Sequence, residues 1–380
     1  MDNSIRADYE KRGYQFYSPE IFDDAMEKDR KKILVLTHQL SLTGAPLALF
    51  LMVRILSEEA EVVVLTVEDG PLKEDYKKLG VSVVNAGKYW ERRVIFQSFA
   101  RKFDAVIANT VLHFPAVLLL NGNNIPVFWW IHEHENYFSY GRGEIPDPST
   151  LKNNVHVLAA GEYVAEVLYQ EFGYRAQIFH VGFDDCAEET CAEQKRNGLH
   201  FLCVGTYGAE KGQDILAEAY DALPVPYKEQ LSLTFIGNDR SYEQEIYDIV
   251  KTLSEKEPQV TMQPLLPRNE VLACYAQADG LILCSRREVL SMAALEHMML
   301  SKCVIASSTT GNAWLIRHKE NGLVFESGDA QALQVCLRYV VDHREQLAAI
   351  GTKAREVYEK EFTMEQFRRR IKEEIFHFIR

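Results

Sequence analysis

No stretch of this chain is apolar for long enough to cross a bilayer, although 47% of its residues are hydrophobic. Membrane-spanning helices are therefore excluded, and the apolar residues are left to build cores, for which 380 residues suffice twice over. The seven cysteines are odd in number and scattered over both halves, so no disulfide framework is expected, and Cys186 with Cys191 lacks further ligands at metal spacing. Basic residues are in deficit. A net charge of −13 leaves no broad cationic face, which argues against a general nucleic-acid binder. There is no internal repeat and no low-complexity tract, and Met1-Asp2-Asn3-Ser4 lacks the basic and apolar regions of a signal peptide. The compartment expected is the cytosol.

Glycine is sparse where a dinucleotide enzyme needs it. The apolar run Ile33–His38 reads as a strand, followed by Gln39-Leu40-Ser41-Leu42-Thr43-Gly44-Ala45-Pro46 and an apolar helix from Leu47 to Leu56. Pro46 suits a first helical turn, and Gly44 permits close backbone approach to a phosphate. One glycine is not the three-glycine fingerprint, so nicotinamide chemistry is disfavoured.

Strands are expected again at Val62–Leu65, Val81–Val84, Ala105–Ala108, Val127–Ile131 and Val155–Leu158, alternating with helical segments such as Glu162–Phe172. That alternation is the doubly wound α/β signature. A polar, acidic stretch from Gly182 to His200 reads as an interdomain linker, and a second βα series begins at Leu202. The domains expected are an extension over 1–31, a Rossmann-like domain over 32–182, a linker over 183–199, a second Rossmann-like domain over 200–360, and a helix over 361–380 crossing back to the first. The extension carries Tyr9, Tyr14, Phe16, Tyr17 and Phe22; it either packs on the first domain or makes a homo-oligomer contact.

The chain is organised around the run from Ala278 to Leu300. Gly280 opens a buried strand ending near Cys284, a Ser/Arg/Glu turn follows, and apolar residues resume at helical density from Met292. In an open parallel sheet such turns line the ligand crevice. Glu288 on the turn and Glu296 on the helix can accept hydrogen bonds from several hydroxyls of one ligand, and free N–H groups near Leu290, Ser291 and Met292 add an anion site. Hydroxyls at both ends with a phosphate between them describe a nucleotide sugar.

The spacing Ser285, Glu288, Glu296, then Val304-Ile305-Ala306-Ser307 and Glu320-Asn321-Gly322-Leu323-Val324 with Gly328-Asp329, resembles the retaining glycosyltransferases of family 4. The resemblance covers roughly Lys32 to the C-terminus and implies a glycosyltransferase-B fold, two Rossmann-like domains facing across a cleft. It assigns Gly44 to the donor phosphates or the acceptor, and His132, delivered by the strand ending at Ile131, to the transferred sugar. Asn109-Thr110 would line the acceptor side. His134 with Glu135 is the alternative reading, a metal pair, but the third ligand is missing. Lys211, in Thr206-Tyr207-Gly208-Ala209-Glu210-Lys211-Gly212, would neutralise the departing nucleoside diphosphate without proton transfer. Thr206 stands where the family carries a second cation, and Arg286 or Arg287 are the nearby substitutes.

The expected activity is therefore retaining, metal-independent hexosyl transfer from a nucleotide-diphosphate sugar, with a UDP-sugar favoured, to a glycan or lipid-linked acceptor in cell-surface polysaccharide or glycan assembly. No resident cofactor is expected. A non-catalytic binding or scaffolding subunit and a nucleotide-sugar epimerase are the competing readings. The segment 88–103 mixes aromatics with five basic residues. It packs on its own sheet or lies peripherally on an anionic membrane.

Overall fold

The computed structural model describes residues 3–16, 30–134, 145–187, 198–238 and 243–379. Tyr17, Phe22, Glu135, Cys191 and most of the expected linker lie outside the described residues. The chain divides into two compact units, Met1–Phe183 with Met364–Arg380, and Asp184–Thr363.

The first unit is built on an eight-stranded sheet. Its strands are β1 (Gln15–Phe16), β2 (Lys31–Thr37), β3 (Ala60–Thr66), β4 (Ser82–Asn85), β5 (Ala105–Asn109), β6 (Val127–Ile131), β7 (Val155–Ala159) and β8 (Gln177–Ile178), in the order β1-β4-β3-β2-β5-β6-β7-β8. All neighbours are parallel except β1, which pairs antiparallel with β4. β5 and β6 are buried along their whole length. A parallel strand covered on both faces must be apolar throughout, which is why these two read as uninterrupted hydrophobic runs.

The N-terminal segment adds a strand and an aromatic cluster to this unit. Tyr9 and Tyr14 are buried, with ring centroids 5.3 and 5.6 Å from that of Phe99. Phe99 belongs to the helix Arg93–Ala100, inside the basic, aromatic segment. Tyr89, Phe96, Phe99 and Phe103 are all buried. Four of the five aromatics of 88–103 are thus spent on the unit's own core, while Arg92 donates to the Arg12 carbonyl. The helix Met364–Glu374 packs here too, with Phe367 and Ile371 buried, and Arg368 and Lys372 pair with Glu58 and Glu59.

The second unit carries six parallel strands: β9 (Leu199–Val204), β10 (Leu231–Ile236), β11 (Val260–Gln263), β12 (Gly280–Leu283), β13 (Cys303–Ser307) and β14 (Leu323–Phe325), in the order β11-β10-β9-β12-β13-β14. The order reverses direction between β9 and β12. In a doubly wound sheet that reversal opens a crevice beyond the strands' C-terminal ends. The series starts at Leu199, three residues before the expected Leu202. Polar His200 disguised the strand; its ring is buried and its Nε2 lies 2.9 Å from Thr234 Oγ1 on β10. No helix among the described residues is long and apolar enough to cross a membrane.

Candidate functional site

In the second unit, the chain leaves β9 through a single 3-10 turn, Ala209–Lys211, and enters the helix Gln213–Asp221. Gly212 joins them with φ +67°, and a Cβ there would lie 2.1 Å from the Cys284 carbonyl oxygen at the end of β12. Only glycine satisfies both the left-handed backbone and the close approach. The contact presses the β9 loop onto the β12 loop. Arg286 N donates to the Glu210 carbonyl at 2.7 Å, and Thr309 Oγ1 donates to the Arg286 carbonyl at 2.7 Å.

This arrangement brings Lys211 and Glu288 together. The Lys211 ammonium pairs with Glu288 Oε2, and Ser285 Oγ lies 3.3 Å from the same oxygen. Burial pushes the lysine toward its neutral form, but the adjoining carboxylate more than offsets this, and its pKa stands above the ordinary value. The lysine therefore remains a cation, with 36% of its side chain open. Glu288 is fixed from behind, since its carbonyl accepts from Gly311 N at 2.8 Å.

The helix Met292–Met299 starts beside it. Ser291 is its N-cap, accepting from Ala294 N at 3.5 Å, and is itself clamped by Asn312, whose Oδ1 accepts from Ser291 N at 2.6 Å. That bond removes Ser291 N–H from the expected anion site. The N–H groups of Leu290, Met292 and Ala293 meet no acceptor among the described residues. Glu296, one turn further on, is buried and paired with Arg268. Burial raises its pKa despite that guanidinium. Thr206 is exposed, and its carbonyl accepts from Gln213 Nε2 at 3.0 Å. Arg286, one of the two expected substitutes for the second cation, is engaged elsewhere in this structure. It makes a bidentate pair with Asp214, at 2.8 and 2.6 Å, and also donates to the Ala209 carbonyl. A guanidinium with a carboxylate already in its fork has little left for a diphosphate.

The first unit has its own reversal of strand order, between β2 and β5. A pocket of about 200 Å³ opens there, lined among others by Thr43, Pro46, Thr110, His132 and Glu133. Gly44 begins the helix Gly44–Glu59 at its rim, and Pro46 occupies the first turn. His132 Nε2 and Thr110 Oγ1 are buried without a hydrogen-bond partner. Burial drives the His132 pKa down to about 3, so the ring is a neutral hydrogen-bonding group. Among the described residues no group of three or more His, Cys, Asp or Glu is placed to hold a metal ion.

Glu133, between His132 and His134, is a residue that the sequence does not single out. Its Oε2 accepts from Val111 N at 2.9 Å and His132 N at 3.0 Å, and desolvation raises its pKa to about 7. The signal was its place two residues after a buried strand, where a carboxylate must find donors.

Two family models match the chain in succession: "Glycosyl-transferase family 4" over residues 29–159 and "Glycosyl transferases group 1" over residues 192–357. The uncharacterized glycosyltransferase MJ1178 of Methanocaldococcus jannaschii is 24% identical over 259 residues. That match takes in 67% of this chain and 66%, just under two thirds, of the relative's length. Among solved structures, Anabaena HepE in complex with UDP-glucose has a TM-score of 0.76 at 17% identity, covering 91% of this chain and 99% of that one. Sucrose-phosphate synthase from Thermosynechococcus elongatus has a TM-score of 0.71 at 18% identity, covering 90% and 98%. These likenesses show the fold. With both halves of the chain matched in order and each built on its own doubly wound sheet, the chain belongs to the glycosyltransferases and has the glycosyltransferase-B fold.

Proposed function

We propose that this chain is a retaining, metal-independent hexosyltransferase that moves a sugar from a nucleotide-diphosphate sugar to an acceptor hydroxyl. The observation that carries the reading is the Lys211–Glu288 pair at the switch point of the second sheet. A cation held in the crevice by a carboxylate can exchange that partner for the donor diphosphate. The ammonium then neutralises the charge that develops as the nucleoside diphosphate departs, and the freed carboxylate accepts hydrogen bonds from sugar hydroxyls.

In this reading the N–H groups of Leu290 and Met292, with Ser291 as the cap, face the phosphates, and Glu296 accepts from ribose hydroxyls. Arg268 opposes the effect of burial on that carboxyl. Thr206 takes the place of a second cation, and Lys211 is the cation assigned to the diphosphate. A UDP-sugar is the favoured donor because HepE is solved with UDP and with UDP-glucose. The first unit's pocket is assigned to the acceptor side, with Gly44 at its rim and neutral His132 hydrogen-bonding to a hydroxyl of the transferred sugar. A glycan or lipid-linked acceptor, and a role in cell-surface polysaccharide or glycan assembly, complete the proposal.

The test is turnover of Lys211→Ala and Glu288→Ala with the donor that wild type uses. Wild-type rates in both would refute the assignment. A non-catalytic role is the second reading, favoured by Thr206 and by the capture of Arg286 by Asp214. It requires nucleotide binding with no product release.

A further inference from the structure

Thr110 has φ +82° and ψ 158°, a backbone state that β-branched residues avoid. It is held there from several sides. Thr110 N donates to the Trp130 carbonyl at 2.8 Å, and the indole N–H of Trp129 donates to the Thr110 carbonyl at 2.9 Å. The next amide, Val111 N–H, is gripped by Glu133 Oε2, which at the same time grips His132 N–H. One buried carboxylate oxygen thus ties the turn after β5 to the turn after β6. Each turn brings a buried, unpartnered polar atom to the same pocket, Thr110 Oγ1 and His132 Nε2. Strained backbone persists only where its surroundings over-determine it, and it gathers at sites of function. Buried polar atoms without partners are costly unless a ligand completes them.

We propose that Glu133 is a positioning residue: its carboxylate sets the separation of the Thr110 hydroxyl, which meets a hydroxyl of the acceptor, and the His132 imidazole, which meets the transferred sugar. This rests on the assignment of the pocket to the acceptor. Glu133 itself touches no reacting atom. Its chemistry is the acceptance of two backbone N–H groups by one oxygen, which a carboxamide oxygen reproduces and an alkyl group does not.

The experiment compares wild type with Glu133→Gln, Glu133→Leu and Thr110→Val by two readouts. The first is amide hydrogen exchange across 110–113 and 130–134, which needs no activity. Glu133→Leu is expected to lose protection at Val111 and His132 by at least tenfold while the rest of the sheet is unchanged, and Glu133→Gln to keep it. The second is steady-state transfer to methyl glycosides of glucose, galactose, mannose and N-acetylglucosamine. There, Thr110→Val raises the acceptor KM at least tenfold with donor KM within twofold, Glu133→Leu raises the acceptor KM as much and also lowers kcat at least tenfold, and Glu133→Gln returns both to near wild type. Equal protection in Glu133→Leu and wild type, or a rise confined to donor KM, overturns the proposal. A wild type that binds donor but transfers to no glycoside overturns the acceptor assignment, and the exchange comparison then decides whether Glu133 positions the two turns.

Discussion

Lys211 and Glu288, 77 residues apart in sequence, meet as an ion pair beyond the C-terminal ends of the adjacent strands β9 and β12. Neither is placed by its own loop alone. The meeting depends on the reversal of strand order at β9, on the glycine at 212 that lets the loops touch, and on Gly311 N–H holding Glu288 from behind.

Gly212→Ala tests that dependence. A Cβ would be driven 2.1 Å from the Cys284 oxygen at φ +67°, so the loops must part. A stability loss of about 1–3 kcal/mol is expected from the backbone strain alone, read as a lower midpoint in urea. Transfer is expected to fall at least tenfold, because Lys211 moves with the loop. A variant with wild-type stability and rate would show that the loop contact is dispensable.

Arg268→Ala removes the only ionic partner of buried Glu296 among the described residues. Since the Arg268 side chain is exposed over much of its surface, the stabilisation at stake is modest, roughly 1–3 kcal/mol for a buried acceptor left unsatisfied. The expected result is a lower thermal midpoint that Glu296→Gln, made in the Arg268→Ala background, partly restores. No change in midpoint would mean that Glu296 is satisfied without the arginine.

Glu133 makes stability depend on pH in a direction that can be worked out. Its folded pKa, about 7, lies above its ordinary 4.5, so between these values the folded state binds the proton that the unfolded state releases. The stabilisation of the protonated form is complete below about 4.5 and is lost as pH rises through about 7. The full span is on the order of 3 kcal/mol. Burial depresses His113 and His132 to about 3, so they act oppositely, losing stability as pH falls below 6.5. The histidines are common to wild type and Glu133→Gln, so the difference in stability between the two isolates the carboxyl. It should move in favour of Glu133→Gln from pH 5 to pH 8. A difference independent of pH would contradict the raised pKa.

Much of the fold was legible because buried parallel strands and amphipathic helices leave strong local patterns. Val127–Ile131 and Glu162–Phe172 stand in the structure with the bounds expected of them. The start of β9 was hidden because His200 looks like the end of a polar linker, and its partner Thr234 is a full βα unit away. The same limit applies to the site. Glu288, Glu296 and Lys211 stand out by residue type and spacing, yet the spacing says nothing of Arg268 on Glu296 or Asp214 on Arg286. Those pairings link separate elements and follow only from sheet order and register. Thr110 was legible as the residue ending a strand, but not its positive φ, which comes from Trp129, Trp130 and Glu133 acting together.

The most direct test of the account is turnover of purified protein with UDP-, GDP-, ADP- and dTDP-sugars, following nucleoside diphosphate release with and without simple glycoside acceptors, in wild type and Lys211→Ala. Release is expected from one donor and should rise when an acceptor is added, with a loss of about 10²–10³ in the variant, the scale of removing one electrostatic contact to developing charge. Release that ignores the acceptor, or a Lys211→Ala rate equal to wild type, would contradict it.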